Sequence, residues 1–159
     1  MILELGCGKN VSKSADIRHD KTKHSDHVDM VHDLDVFPWP WRSGQFDRII
    51  AVDVLEHLAQ PLERILDECW RILGDDGRLA IEVPHCQSWH AWADPTHRRA
   101  FHDITFRYFD PDSKWCDLYG FQFDAKPWRI AECKRHKWPS EYGDATDLRV
   151  VMVKRAQPQ

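Results

Sequence analysis

The residues whose types and spacing could do chemistry are a glycine turn and three acids in the first third of the chain, and a knot of histidines past its middle. Gly6-Cys7-Gly8 follows directly on the apolar run Ile2-Leu3-Glu4-Leu5, and two glycines let a backbone approach a ligand where side chains would block it. Asp20, Asp33 and Asp53 stand at the ends of successive strand-like runs. A carboxylate at the end of a second strand can accept both hydroxyls of a ribose, and one at the end of a third can accept the exocyclic amine of adenine. The same acids would repel a pyrophosphate. The dinucleotide fingerprint needs a third glycine where Val11 stands, and the phosphate-gripping G-x-x-x-x-G-K-S/T is absent, so hydride transfer with NAD is disfavoured. His85, His90, Asp94, His97 and His102 crowd into eighteen residues. Imidazoles titrating near pH ~6.5 could serve there as base, acceptor-orienting donor or metal ligand; the alternative is that they cap and hydrogen-bond an aromatic loop. His24, Asp26, His27, Asp29 and His32 have ligand-like types but match no compact site, and no metal is expected. Cys86 has no partner fixed beside it and reads as a buried thiol.

Strands and one helix must position these groups. Ile2 to Leu5 reads as a buried strand stopped by the glycine turn. Asp16 to Asp20 and Val28 to Leu34 are candidate short strands, and Phe37-Pro38-Trp39-Pro40-Trp41 is an ordered loop, because two prolines in three residues exclude regular structure. Phe46 to Asp53 is a continuous apolar run suited to a parallel strand covered on both faces. Leu62, Ile65, Leu66, Cys69, Ile72 and Leu73 recur at helical spacing after Pro61, with a stop and turn at Gly74-Asp75-Asp76-Gly77. Arg78 to Val83, Trp128 to Arg135 and Leu148 to Lys154 complete the strands. This order describes an α/β domain with a mainly parallel sheet, whose ligands sit at the carboxyl ends of the strands near the switch in strand order.

The 159 residues, 42% apolar and 30% charged, describe one ordinary globular domain, long enough to bury a core without disulfides or structural metal. Five cysteines without a C-x-x-C read as reduced thiols. No apolar run spans a membrane and the start MILELGCG has no basic leader, so a cytoplasmic protein is expected. A net charge of −4 gives no global case for nucleic acid, although Lys126, Arg129, Lys134, Arg135 and Lys137 form a local basic stretch. Eleven of the eighteen aromatic residues fall between 85 and 128.

Ile2-Leu3-Glu4-Leu5-Gly6-Cys7-Gly8, His32-Asp33-Leu34, Phe46-Asp47-Arg48-Ile49-Ile50, Val54-Leu55-Glu56-His57-Leu58 and Arg71-Ile72-Leu73-Gly74-Asp75-Asp76-Gly77-Arg78-Leu79, in this order and spacing, resemble class I S-adenosylmethionine-dependent methyltransferases, particularly the type 11 group. Asp94-Pro95-Thr96-His97-Arg98-Arg99 with Phe101, Phe106 and Phe109 resembles a small subfamily within that group. The resemblance implies a Rossmann-like, mainly parallel seven-stranded sheet or a slightly reduced one, with flanking helices and an antiparallel last strand. It implies a single methyltransferase-like domain over 1–159, with 85–128 as an aromatic-rich substrate or lid insertion, since the cofactor strand starts at residue 2 and leaves closure to that stretch.

It also implies S-adenosylmethionine as cofactor, with roles by position. The turn Glu4, Leu5, Gly6, Cys7 and Gly8 would wrap the methionyl part, Glu4 near its ammonium. Asp20 would bind the ribose, with Asp16 as the competing alignment. Asp33 and Leu34 would flank the adenine, and Val52, Asp53 and Val54 would line the other side. Asn10 replaces the usual third glycine, and eleven residues between Gly8 and Asp20 leave the first helix short or absent. Candidate bases are His57, His85, Asp94 and His97. The D/N/S-P-P-Y/F motif of amino-methylating nucleic-acid enzymes is missing where Asp53-Val54-Leu55-Glu56 stands, which favours a small-molecule acceptor. The alternatives are a catalytically silent cofactor-binding partner module and an RNA or protein methyltransferase working through residues 126–137. A minority of the rings, such as Trp89, Trp92 or Trp115, would line the acceptor pocket.

Overall fold

The computed structural model describes residues 1–9, 14–119 and 125–155; Asn10, Val11, Phe121 and Phe123 lie outside the described residues. The apolar runs become seven strands of one sheet: β1 (Ile2–Leu5), β2 (Ile17–Asp20), β3 (Met30–Val31), β4 (Phe46–Val52), β5 (Leu73–Pro84), β6 (Trp128–Trp138) and β7 (Ala145–Lys154). Their order is β3-β2-β1-β4-β5-β7-β6. β7 runs antiparallel to both neighbours and every other pairing is parallel. The chain leaves β1 toward β2 on one side and returns to β4 on the other, so the switch in strand order lies between β1 and β4 and opens a crevice at their carboxyl ends. Rossmann-like topology of this kind is the one the motif series implied.

Leu3, Leu5, Ile49, Ala51, Leu79, Ile81 and Val83 alternate into the core from β1, β4 and β5. They are covered by Ile65, Leu66, Cys69 and Ile72 of α1 (Leu62–Ile72), whose first turn Pro61 enters with its fixed φ. Among the described residues α1 is the one helix longer than two turns; α2 (His90–Ala93), a 3-10 turn (Thr105–Phe109) and α3 (Lys114–Tyr119) are short. The segment Phe37–Trp41 is the ordered loop that its two prolines imply. Trp39 and Trp41 are buried in it, each ring contributing on the order of 1.5–3 kcal/mol by leaving water. The loop is tied to α1: Trp39 N donates to Glu68 Oε1 at 2.7 Å, and Arg71 donates to the carbonyls of Trp41 and Trp39 at 2.8 and 3.1 Å. Burial acts to raise the Glu68 carboxyl, but Arg71 and the Trp39 N–H outweigh it and hold it below the usual range.

Three element boundaries differ from the sequence reading. β3 is two residues long where a run to Leu34 was expected. α1 passes straight into β5: Leu73 pairs with Phe46 before Arg78 pairs with Arg48, and the stop at Gly74–Gly77 is a bulge inside the strand, with Asp76 at φ 57°. β6 and β7 extend beyond the apolar positions because they pair with each other over ten positions, and backbone pairing needs no apolar side chain. Four rings of the 85–128 stretch belong to the core: Phe101 and Phe106 stack with centroids 5.5 Å apart, and both are buried with Phe109 and Trp128. All five cysteines are free thiols. No helix among the described residues is long and apolar enough to cross a membrane.

Candidate active site

The glycine turn at the end of β1 takes left-handed backbone, φ 60° at Gly6 and 57° at Gly8. A Cβ at Gly6 would stand 2.4 Å from Val54 Cγ2, so only glycine fits there, whereas Gly8 has open space around it. The turn is clamped to β2, with Gly8 N donating to Asp20 Oδ2 at 2.9 Å. Asp20 Oδ1 accepts from Thr22 N at 3.2 Å, and His24 Nε2 lies 3.2 Å from Oδ2. Burial works to raise the Asp20 carboxyl, but these donors prevail and keep it ionised below its ordinary range. Asp33 is likewise lowered, first by Lys21 at 2.8 Å and then by the Asp35 N–H.

Gly6, Asp20, Asp33, Leu34, Asp53 and Val54 line one cavity of about 320 Å³, joined by His19, Lys21, Asp35, His57 and Leu58. The turn therefore meets both ribose- and adenine-side acids in one place. Asp16 sits at the other end of β2, accepting from Ile2 N at 2.7 Å, and the competing alignment for the ribose acid has no access to this cavity. Glu4, Leu5, Cys7, Gly8 and Val52 do not line the wall. Leu5 and Cys7 are buried, and Val52 is 43% exposed. Glu4 keeps one oxygen buried without a hydrogen-bond partner, and desolvation raises its pKa against the pull of Arg18 and His27. A buried acceptor of this kind calls for a donor. The close-approach glycine and the ionised Asp20 and Asp33 on one wall fit the close-packed turn, ribose and adenine that S-adenosylmethionine would bring, whereas Glu4 stands off that wall.

A second cavity, of about 410 Å³, adjoins the first and shares Asp53 and His57 with it. Its wall adds Glu56, Pro84, Trp89, His90, Ala93, Asp94, His97, Trp138 and Asp147, with four carboxylates in all and neither lysine nor arginine among the described residues. Asp53 has left-handed backbone, φ 52°, a conformation that costs a non-glycine residue on the order of 1–3 kcal/mol and clusters at functional sites. Burial, then Asp147 and Glu82, raise its pKa. Glu56 is 1% exposed; desolvation, opposed by its own backbone N–H and reinforced by Asp53, Asp147 and Asp94, pushes its carboxyl up to about 8. Desolvation and the neighbouring His97 lower His57, which keeps its imidazole neutral at pH ~7.

His57, Asp94 and His97 are thus brought together, whereas His85 is not. Its fully buried ring packs 5.4 Å from that of His102 and outside both cavities. Of the three suggested tryptophans, Trp89 lines the second cavity; Trp92 is 69% exposed and Trp115 stacks on Tyr119. Sequence reasoning missed Glu56, Trp138 and Asp147. Asp147 arrives from β7, accepts from His90 at 2.8 Å and from Trp138 Nε1 at 2.6 Å, and nothing in its local sequence marks it. Glu56 stood beside a candidate base, and that adjacency was the available signal.

Residues 7–81 match the family model of the type 11 methyltransferase domain. No curated protein matches the chain. Among solved structures, it is similar to a chain of the Haloferax volcanii complex between the methyltransferase activator Trm112 and a methyltransferase, with 14% identity, TM-score 0.67, and coverage of 98% of this chain and 82% of that one. A SAM-dependent methyltransferase from Archaeoglobus fulgidus matches at 14% identity and TM-score 0.64 over 96% of this chain and 85% of that one. The cyclase SpnF matches at 14% identity and TM-score 0.64 over 98% and 75%.

Proposed function

This chain carries the type 11 methyltransferase domain over residues 7–81 on a class I methyltransferase fold, and from that premise we propose that it transfers a methyl group from S-adenosylmethionine to a small, uncharged or cationic acceptor. The observation that carries the proposal is the pair of adjoining cavities with Asp53 and His57 on their common wall. The first would hold the cofactor; the second, acidic and walled by Trp89 and Trp138, would hold the acceptor. Four carboxylates with neither lysine nor arginine among the described lining residues oppose phosphate or carboxylate acceptors, while indole faces suit a cation.

The bound cofactor supplies an electrophilic methyl group. The chain's residues must align the acceptor and exclude water, positioning that can lower a barrier by about 7–11 kcal/mol. Asp53 and His57, on the wall common to both cavities, would hold an acceptor atom facing the cofactor's methyl group. The acceptor's proton, where it has one to lose, passes to neutral His57 or to the Asp53 carboxylate, both on the common wall. His97 and Asp94 border the same cavity. Isothermal titration with S-adenosylhomocysteine tests the first half: one molecule binds per chain, and Asp33→Asn weakens it about tenfold, the loss expected of one hydrogen bond to a charged group. Folded protein that binds neither S-adenosylhomocysteine nor S-adenosylmethionine refutes the reading. Labelled methyl transfer into candidate amines and hydroxyl compounds tests the second half.

A further inference from the structure

We propose that Glu56, His57 and His97 form a binding site for a divalent first-row cation of the zinc type on the wall of the acidic cavity. The site stands on its own geometry; its part in catalysis rests on the methyl-transfer reading. One donor atom from each of the three residues lies within 4.8 Å of the other two; tetrahedral ligands at roughly 2.0–2.2 Å from zinc stand about 3.4 Å apart, so the three side chains would draw together on binding. All three residues line the cavity.

Glu56 supplies an independent reason. It is 1% exposed and neither of its oxygens has a hydrogen-bond partner among the described residues. A buried carboxylate is retained when it is paired or coordinates a metal. Around it stand Asp53, Asp94 and Asp147, none of which can donate as an anion, and neither lysine nor arginine lines the cavity among the described residues. When ionised, the Glu56 carboxyl therefore has neither a hydrogen-bond donor nor a lysine or arginine beside it.

The histidines are held as ligands require. The Ala91 carbonyl, which can only accept, lies 3.1 Å from His97 Nδ1 and fixes the proton there. Thr96 Oγ1 donates to Asp94 Oδ1 at 2.6 Å, and so receives the proton of His57 Nδ1 at 2.9 Å. Both rings keep their lone pair at Nε2, the arrangement in which a metal-bound histidine donates its other nitrogen to a carbonyl or to a carboxylate relay. Asp94-Pro95-Thr96-His97 is thereby explained as a unit: one ligand plus the two residues that orient the other. Arg98 N donates to the Glu56 carbonyl at 2.7 Å and pins the two segments together. Two imidazoles and one carboxylate, without thiolate, match a catalytic zinc-type set with an open position rather than a calcium or magnesium site. An acceptor hydroxyl or amine filling that position loses its proton more readily, and Asp53 remains unliganded to take it.

The test uses the full chain stripped with a chelator and titrated with Zn²⁺ by calorimetry and with Co²⁺ by visible absorption. One cation binds per chain with bands of a nitrogen- and oxygen-ligated ion. His97→Ala and Glu56→Gln remove this binding, and Thr96→Val weakens it about tenfold, as loss of an outer-shell partner does. S-adenosylhomocysteine titration of the same variants is the control: unchanged binding separates the cation site from the cofactor reading, which can fail independently. If Glu56→Gln does not fold, His97→Ala and Thr96→Val decide. Absence of stoichiometric binding overturns the proposal. So does binding that survives His97→Ala, whether it resides at the His85, Cys86 and His102 cluster or at Cys7, Asp20 and His24.

Discussion

Replacing Gly6 by alanine tests how the turn and the cavity wall are coupled. The new Cβ would sit 2.4 Å from Val54 Cγ2, and the residue would have to hold φ 60°. Left-handed backbone costs an alanine about 1–2 kcal/mol. Relieving the overlap means moving a β-branched side chain with one favoured rotamer, in a site only 7% exposed, which adds about 1–3 kcal/mol of overpacking strain. Gly8 carries the same backbone angle, φ 57°, with nothing within 4 Å of a Cβ, so Gly8→Ala isolates the backbone part. Urea denaturation followed by tryptophan fluorescence should therefore show Gly6→Ala losing more than Gly8→Ala by about 1–3 kcal/mol. Val54 lines the cavity proposed for the cofactor, so its displacement should also weaken S-adenosylhomocysteine binding. Adding Val54→Ala to Gly6→Ala should recover part of the loss, with a coupling of roughly 0.5–3 kcal/mol. Equal destabilisation by the two glycine substitutions, or strict additivity with Val54→Ala, would refute the reasoning.

Glu56 makes stability depend on pH. Its folded pKa, about 8, lies above the ordinary 4.5, so the folded chain binds this proton more tightly; the contribution is complete below pH 4.5 and is lost as pH rises through 8, by about 1.4 kcal/mol per unit. Chelator-treated wild type should lose stability relative to Glu56→Gln between pH 5 and pH 8, and parallel curves would count against a buried, unpaired acid. Arg71→Ala leaves Glu68 unpaired and removes donors from the Trp39 and Trp41 carbonyls; a loss of about 3 kcal/mol is expected, and thermal melting that matches wild type would show that the Trp-Pro loop holds itself. Asp33→Asn should weaken S-adenosylhomocysteine about tenfold without changing the melting temperature of the free protein, since Asp33 is partly exposed and its partner Lys21 is at the surface.

The central strands β1, β4 and β5 were legible because each carries an apolar run closed by a turn signal, and the helix because Leu62, Ile65, Leu66, Cys69 and Ile72 repeat at its period. Gly6 was legible for the same reason: a left-handed turn after a buried strand is a local demand that only glycine meets. The Gly74–Gly77 bulge was misplaced because whether four residues end a helix or interrupt a strand depends on the partner, here Phe46 and Arg48 of β4. Local pattern, in short, determined the α/β class, the glycine turn after β1 and the acids at the tips of β2 and β3. Tertiary structure alone decided that Asp147, ninety positions from His57, faces the same cavity, that His85 does not, and that Glu56 is buried with neither a hydrogen-bond donor nor a lysine or arginine beside it among the described residues. Those outcomes follow from which strands pair and how the 85–119 segment folds back over their ends, and spacing along a chain carries no information about a neighbour brought in by another strand.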